Sequence, residues 1–236
     1  MTTRRVRRVA TDRAGGVSAA PYDRVNLADH VGDDAAAVTA NRARLAAGLG
    51  VAAEMLVWME PIHGRRIEVV DGPRPEGVSA CDGLVTTRPG LVLVALSADC
   101  VPVLLADTTA GVVAAVHAGR AGVRLGIAGL AVEAMVGAGA LPERIDVLLG
   151  PAICGRHYEV PAPLQRDVER VAPGSAVTTA TGAPGLDLRL GLDGQLRAAG
   201  VRAVVADARC TFEDTGLFSY RRDGRTGRHA GLVWLA

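Results

Sequence analysis

Residues 91–118 read LVLVALSADCVPVLLADTTAGVVAAVHA, and this stretch carries the strongest structural signal in the chain. Residues 91–98 are almost continuously apolar and partly β-branched, which is typical of a strand buried on both faces. Residues 101–106 and 111–116 predict two further strands of the same kind. Because only short turns separate the three runs, the stretch predicts a buried sheet at the centre of the fold.

The sequence on either side of this stretch mixes helices with strands. Helices are predicted over 33–50, 123–138, 164–171 and 188–199, strands over 144–149, 201–206 and 231–235, and short apolar runs occupy 55–59 and 67–70. These elements do not alternate as regular βαβ units. We therefore predict an α/β (α+β) fold, a single domain over residues 1–236 with a mixed β-sheet core sandwiched by helices. The arginine-rich residues 1–10 are expected to form a flexible N-terminus.

Composition limits the class of protein. The 236 residues include 26 basic and 25 acidic side chains, a net charge of +1, and 49% are hydrophobic, which fits a folded soluble domain. The charge balance argues against a nucleic-acid partner, and no apolar run reaches the ~20 residues that span a membrane. The chain contains no Lys, which excludes Schiff-base and phosphate-loop lysines. Since no secretory apolar segment follows the N-terminal arginines, we expect a cytoplasmic protein.

Three residues beside predicted strands are candidates for chemistry. His63 lies in a connection between two apolar runs, Cys100 follows the strand over 91–98, and His117 follows the strand over 111–116. Taken singly, each is better explained as a structural residue. Together, two His and one Cys form a known catalytic zinc set with an open fourth position, or a Cys nucleophile with a His base. The residue pattern leaves both alternatives open.

Two further segments have features of anion sites. The turn over 117–122 leads into a predicted helix, whose free backbone N–H groups favour phosphate, although its glycines also serve simply to turn the chain. The segment 218–228 places adjacent arginines after an aromatic pair, which suits phosphate or carboxylate. The other cysteines, Cys81, Cys154 and Cys210, show no metal-binding spacing, and we interpret them as reduced packing residues.

An ordered set of short motifs runs through nearly the whole chain. They are Asn41-Arg42, Ile62-His63-Gly64, Ala98-Asp99-Cys100 with Pro102, His117-Ala118-Gly119, Gly150-Pro151, Tyr158-Glu159-Val160, Leu186-Asp187-Leu188, Cys210-Thr211, FSYRRD at 218–223 and TGR at 226–228. This set resembles the laccase-domain family, also called the multicopper polyphenol oxidase or purine nucleoside phosphorylase family. The family includes bacterial peptidoglycan-editing factors.

The resemblance implies a site and an activity. It implies a single α/β domain, a Zn²⁺ site made by His63, Cys100 and His117, phosphorolysis of adenosine, inosine, guanosine and methylthioadenosine, and hydrolytic deamination of adenosine. With purine nucleosides and phosphate as partners, the candidates for substrate contacts are Asn41, Arg65, Asp99, Arg120, Tyr158 and Arg221. The chain departs from the family pattern at Pro61, where Gln is usual, and at Arg120, where Trp is usual.

The oxidase name of the family does not fit the histidine count. Five histidines are too few for a trinuclear copper cluster together with a blue-copper site. Cu²⁺ could still occupy the zinc ligands, because it outcompetes Zn²⁺ for such sets. We therefore predict a zinc-dependent purine nucleoside phosphorylase with adenosine deaminase activity, acting as a monomer or homodimer. The alternatives are a Cys–His amide hydrolase that edits peptidoglycan precursors, with Cys100 as nucleophile and His117 as base, and a non-enzymatic metal-binding module.

Overall fold

The structure, a computed structural model, describes residues 4–236. The strands are β1 (Val6–Ala10), β2 (Leu56–Trp58), β3 (Ile67–Val69), β4 (Gly83–Thr86), β5 (Val92–Ser97), β6 (Val101–Asp107), β7 (Val112–Ala118), β8 (Asp146–Leu149), β9 (Ala176–Thr178), β10 (Pro184–Leu186), β11 (Ala203–Ala206) and β12 (His229–Leu235). The helices are α1 (Ala35–Leu49), α2 (Arg120–Arg124), α3 (Ile127–Gly137), α4 (Ala162–Glu169), α5 (Leu188–Ala198) and α6 (Tyr220–Asp223).

Two mixed sheets pack face to face at the centre. One has four strands in the order β1-β12-β5-β2, and the other has six in the order β11-β8-β6-β7-β4-β3. Alternate residues of each central strand fill the space between the sheets, such as Leu93 of β5, Leu104 of β6 and Val113 of β7. Because their neighbours face the outer layers instead, these strands are apolar on both faces, which explains the continuous apolar runs.

Helices cover the outer face of each sheet. Against the four-stranded sheet, α1 contributes Ala46 to a cluster with Val94 and Trp234. Against the six-stranded sheet, α3 and α5 contribute Ile127 and Leu192 to the largest apolar cluster. The resulting order is helix, sheet, sheet, helix. This confirms the predicted mixed α/β domain with helices outside, and the core contains two sheets where we expected one.

The predicted helices form with small changes. Helix α1 begins after Asp34, whose side chain accepts a hydrogen bond from the backbone N–H of Ala36, and it ends at Gly50 in the left-handed conformation. The helix predicted over 123–138 is divided into α2 and α3, because Gly126 adopts a φ of +72° between them. None of the helices within residues 4–236 has the length and apolar character needed to cross a membrane.

The expectation of a flexible N-terminus over residues 1–10 is wrong for the part that the structure describes. Val6–Ala10 forms β1, which pairs antiparallel with β12 at the edge of the four-stranded sheet. The arginines in this segment hid the strand signal, since charged side chains are common on edge strands that have one exposed side. Residues 1–3 lie outside the described residues.

Candidate functional site

The three predicted metal ligands meet where the chain passes from one sheet to the other. His63 lies in the connection from β2 of the four-stranded sheet to β3 of the six-stranded sheet. Cys100 lies in the short connection from β5 to β6, which also joins the two sheets. His117 belongs to β7 and lies opposite Pro102 of β6. Two crossings and one strand end therefore bring together residues that are far apart in sequence.

The distances between these side chains suit a metal ion. The ligand atoms of His63, Cys100 and His117 all lie within 4.8 Å of one another, and Cys100 Sγ lies 3.8 Å from His63 Nε2. Ligand atoms around tetrahedral zinc are roughly 3.3–3.8 Å apart, given its usual bond lengths. His63 is exposed and His117 is buried, so the cluster has one side open to solvent. The residues thus fit a metal with three protein ligands and one open position.

A buried carboxylate, Asp82, holds both histidines in place. Asp82 Oδ1 accepts hydrogen bonds from His117 Nδ1 at 3.0 Å and from the His63 backbone N–H at 2.9 Å. Asp82 Oδ2 accepts from the Gly64 backbone N–H at 2.7 Å. With Nδ1 occupied, His117 presents Nε2 to the site, which is the carboxylate–histidine arrangement common in metal centres. His63 has a φ of +58°, a strained conformation for a residue other than glycine, and the Asp82 contacts stabilise it.

The local charges favour a Cys100 thiolate paired with a protonated His117. Burial would raise the pKa of Cys100, but the charge and hydrogen bond of His117, with the His63 contact, outweigh burial and lower it. Burial would lower the pKa of His117, but the Cys100 charge and the Asp82 hydrogen bond raise it above its ordinary value. For Asp82, the hydrogen bonds from His117 and Gly64 outweigh burial and lower its pKa. Cys100 is therefore a thiolate near neutral pH, which is the form that binds metals.

The site opens into a cavity of about 610 Å³. Its wall includes the cationic side chains Arg120, Arg221 and Arg228 and the phenols Tyr158 and Tyr220. The Arg221 guanidinium lies 4.9 Å from the centroid of the Tyr158 ring. Burial and the negative charge of Cys100 raise the pKa of Tyr158 despite the two nearby arginines, so its hydroxyl stays protonated. A cavity with cations, phenols and a metal-ligand cluster suits an anionic or phosphate-bearing substrate.

The predicted substrate residues divide into two groups. Arg120, Tyr158, Arg221 and Asp99 line the cavity, although the Asp99 carboxylate is already engaged, accepting hydrogen bonds from Thr211 Oγ1, Ser219 Oγ and the Arg221 backbone N–H. Asp99 therefore positions the start of α6 rather than offering a free carboxylate to a ligand.

Asn41 and Arg65 are not among the residues that line the cavity, and their substrate contacts stay predictions. Asn41 lies on the buried face of α1, where its side-chain amide donates to Ser18 Oγ and to the backbone oxygens of Arg24 and Asn26. These hydrogen bonds stabilise the loop before α1. Arg65 is exposed and lies two residues after His63. His63 lines the cavity and Arg65 does not.

Sequence reasoning missed four residues of the site. Asp82 precedes β4, a strand that we did not predict, so nothing marked it as a strand-end residue. Tyr220, Arg228 and His30 reach the cavity from separate loops and a short helix, and only the fold brings them there. The signals available for Tyr220 and Arg228 were the arginine-rich segment 218–228 and the motifs FSYRRD and TGR within it.

The remaining cysteines behave differently from one another. Cys81 is buried between the two sheets, as expected of a packing residue. Cys154 and Cys210 were also expected to be packing residues, yet they lie together with His157 and Glu213 in a second cluster of potential ligands. Within residues 4–236, one candidate metal cluster contains two histidines and the other contains one.

We predict that Asp82→Asn weakens metal binding about 10- to 100-fold, the usual effect of losing a residue that orients a ligand. An amide cannot accept both the His117 ring and the His63 and Gly64 backbone donors. Asp107→Asn is the matched control, because Asp107 is also fully buried and accepts backbone N–H groups from Thr109, Ala110 and Leu141. Competition with a chelator measures affinity. Equal losses in both variants would show that Asp82 acts through stability alone.

The fold and site together define a single-domain mixed α/β protein with an open two-histidine, one-cysteine metal-ligand set beside a cationic cavity. The family model described as "Multi-copper polyphenol oxidoreductase laccase" matches residues 7–236. The chain belongs to this family, which confirms the resemblance found in its motifs.

Curated relatives are similar to this protein over most of the chain. A purine nucleoside phosphorylase of Mycobacterium tuberculosis is 56% identical over 231 residues, covering 98% of this chain and 92% of the relative. One from Corynebacterium glutamicum is 53% identical over 234 residues, covering 98% and 95%.

Solved structures share the fold. The hypothetical protein YfiH of Bacillus licheniformis matches with a TM-score of 0.92 and 32% identity, covering 98% of this chain and 93% of that one. YlmD from Geobacillus stearothermophilus matches with a TM-score of 0.91 and 34% identity, covering 97% and 92%. The mixed α/β architecture is therefore that of known members.

Proposed function

We propose that this protein is a zinc-dependent purine nucleoside phosphorylase whose chemistry takes place at His63, Cys100 and His117. The observation that carries the proposal is the position of this cluster, with one open side, in a cavity lined by Arg120 and Arg221. The relatives named purine nucleoside phosphorylases support it. Zn²⁺ fits a set of one sulfur and two nitrogen ligands, and Cu²⁺ competes for the same set.

The residues that line the cavity suit three tasks in phosphorolysis: binding phosphate, donating a hydrogen bond to the substrate and stacking on the purine. In this reaction a phosphate oxygen forms a bond to C1′ of the ribose, and the C1′–N9 bond breaks with its electron pair going to the purine, which takes up a proton. Arg120 and Arg221 would bind and orient the phosphate through charge-assisted hydrogen bonds. Tyr158, protonated because of its raised pKa, would donate a hydrogen bond to substrate. The exposed ring of Tyr220 offers a face on which a purine can stack.

A metal ion held by the three ligands supplies Lewis acidity at its open position. The chain's own part is to hold Cys100 as a thiolate and to orient the two histidines through Asp82, while His117 would give up its proton when a metal binds. We further propose that adenosine, inosine, guanosine and methylthioadenosine are substrates, and that adenosine is also deaminated by a separate step in which water adds at C6 of the purine and ammonia leaves. The balanced net charge agrees with small-molecule partners in the cytoplasm, and we expect a monomer or homodimer.

The decisive experiment measures purine release from inosine by metal-loaded protein, with and without phosphate. We expect release that depends on phosphate, and stoichiometric ribose 1-phosphate. Chelation should abolish it and Zn²⁺ should restore it. Release that is absent, or that is unaffected by phosphate, would contradict the proposal.

One observation favours a second candidate, a Cys–His amide hydrolase. The Cys100 thiolate, the His117 ring and the Asp82 carboxylate are arranged like the nucleophile, the histidine base and the orienting carboxylate of a cysteine hydrolase. Such an enzyme works without metal. Hydrolysis of a peptidoglycan precursor amide by chelator-treated protein, together with inhibition by added Zn²⁺, would favour it over the phosphorylase.

The arginine that replaces the usual family Trp gives a further prediction. We expect Arg120→Trp to raise the KM for phosphate about tenfold, since a hydrogen bond to a charged group contributes about 1.5–3 kcal/mol. The KM for the nucleoside should fall, because an indole offers a stacking face, and the balance should shift toward deamination. Initial rates with adenosine, at varied phosphate, measure both constants.

Arg124→Trp is the matched control for this change. Arg124 lies on the same helix, but it pairs with Asp167 and does not line the cavity. We expect both of its KM values to stay at the wild-type level. If Arg120→Trp also leaves both constants unchanged, Arg120 has no role in phosphate binding.

A further inference from the structure

A second group of potential metal ligands lies apart from the cavity cluster. Cys154 and His157 come from the loop after β8, and Cys210 and Glu213 come from the loop after β11. Their ligand atoms all lie within 4.8 Å of one another. Each loop contributes two of these residues, and the two are three positions apart in the sequence.

The distances in this group converge on one imidazole nitrogen. His157 Nδ1 lies 3.4 Å from Cys154 Sγ, 3.8 Å from Cys210 Sγ and 3.4 Å from Glu213 Oε1. Ligand atoms of a tetrahedral zinc centre are roughly 3.3–3.8 Å apart, as follows from its bond lengths. The three separations from His157 Nδ1 therefore match those that one ion requires.

The surroundings orient these side chains. The His157 ring stacks on Phe212, with ring centroids 4.7 Å apart and planes 14° apart, which fixes the direction of its nitrogens. The Cys154 backbone N–H donates a hydrogen bond to Cys210 Sγ at 3.3 Å, a contact that orients this sulfur. The two loops are joined by a bridge between Ala152 and Cys210 and by the Thr211 N–H to Ala152 oxygen hydrogen bond.

We propose that Cys154, His157, Cys210 and Glu213 form a second metal site that binds Zn²⁺ through four protein ligands. Two thiolates, one imidazole and one carboxylate are all ligands that zinc accepts, and a full set of four is typical of structural rather than catalytic sites. The half-exposed Glu213 side chain, at 51%, gives an ion access from solvent. This proposal does not depend on the phosphorylase activity.

The site holds parts of the catalytic cavity in position. Its ligands are direct sequence neighbours of residues at the cavity. Ile153 and Tyr158 line the cavity wall, and Thr211 donates a hydrogen bond to Asp99. An ion at the second site would tie the 152–158 loop to the 210–213 loop. Its effect on turnover is therefore one of positioning, with no contact to substrate.

The experiment isolates the second site by removing the first. Cys100→Ala protein, purified under reducing conditions and titrated with Zn²⁺, should retain about one zinc per chain by elemental analysis after dialysis. Cys100→Ala/Cys210→Ser protein should retain none. With Co²⁺ in place of Zn²⁺, the Cys100→Ala protein should show thiolate-to-cobalt charge-transfer absorption, and the double variant should lose it.

A milder variant covers the case in which Cys210→Ser fails to fold. In the Cys100→Ala background, Glu213→Gln alters an exposed side chain and should weaken Zn²⁺ binding at least about tenfold, as loss of a ligand contact does. Glu159→Gln, a change to another exposed carboxylate on the same side of the fold, should leave Zn²⁺ binding unchanged. Failure of Cys100→Ala to bind Zn²⁺, unchanged affinity in Glu213→Gln, or a Cys154–Cys210 disulfide in the reduced preparation would each overturn the proposal.

Discussion

Replacing Cys100 with Ala should remove the catalytic metal and almost all activity. The thiolate is the only sulfur ligand of its cluster, and two histidines alone make a much weaker site. We expect metal affinity at the cavity to fall by at least about 100-fold, beyond the effect of losing an orienting residue. Phosphorolysis should fall by at least about 10²–10³-fold, the scale of losing one preorganised transition-state contact.

Cys81→Ala provides the matched control for this variant. Cys81 is fully buried between the sheets, so the change should reduce the free energy of unfolding by about 1–3 kcal/mol. Activity per folded molecule and metal content should remain at the wild-type level. Full activity in metal-free Cys100→Ala protein would contradict the zinc mechanism, and loss of metal in Cys81→Ala would show that stability, not ligation, controls metal content. Metal analysis at the cavity is best made with Cys210→Ser in both proteins, so that the second cluster does not contribute.

The central strands could be predicted because burial on both faces leaves a direct trace in the sequence. Leu93 and Val94 face different layers, yet both layers are apolar, so the run of apolar residues was unambiguous. The division into two sheets left no such trace. The division depends on which strands pair. Strand β5 pairs with β12 and β2 and not with β6, the next strand in the chain, and local periodicity in the sequence does not indicate such long-range pairing.

The candidate metal ligands were predicted from their residue types and their motifs, while the residues that orient them were not. Asp82 looks like an ordinary turn residue in the sequence, and only the contact between two distant connections shows that it binds both histidines. The second cluster was missed for the same reason. Cys154 and Cys210 are 56 residues apart, and the spacing of cysteines alone says nothing about two loops that the sheet brings side by side.

The close approach of His63 and Cys100 requires a residue without a side chain at position 119. A Cβ atom there would lie 2.8 Å from His63 Cδ2 and 2.9 Å from Cys100 Sγ, nearer than carbon and sulfur atoms can pack. The φ of Gly119 is −81°, so backbone conformation does not demand glycine, and the requirement is one of space alone.

Gly119→Ala should therefore displace two ligands at once while leaving the fold intact. A shift of ligands or reactants by about 1 Å can cost about 100-fold in rate, and we expect a loss of that size in phosphorolysis together with weaker metal binding. Gly122→Ala is the matched control, because a Cβ there meets its nearest neighbours, Gly64 O and Ile127 Cγ2, at 3.4 Å. As a helical position it should gain about 0.4–1 kcal/mol of stability and keep wild-type metal affinity. Thermal unfolding, chelator competition and initial rates on both variants separate the two effects. Equal metal affinity in the two proteins would show that the ligands move aside freely, and that the space at Gly119 does not determine the geometry of the site.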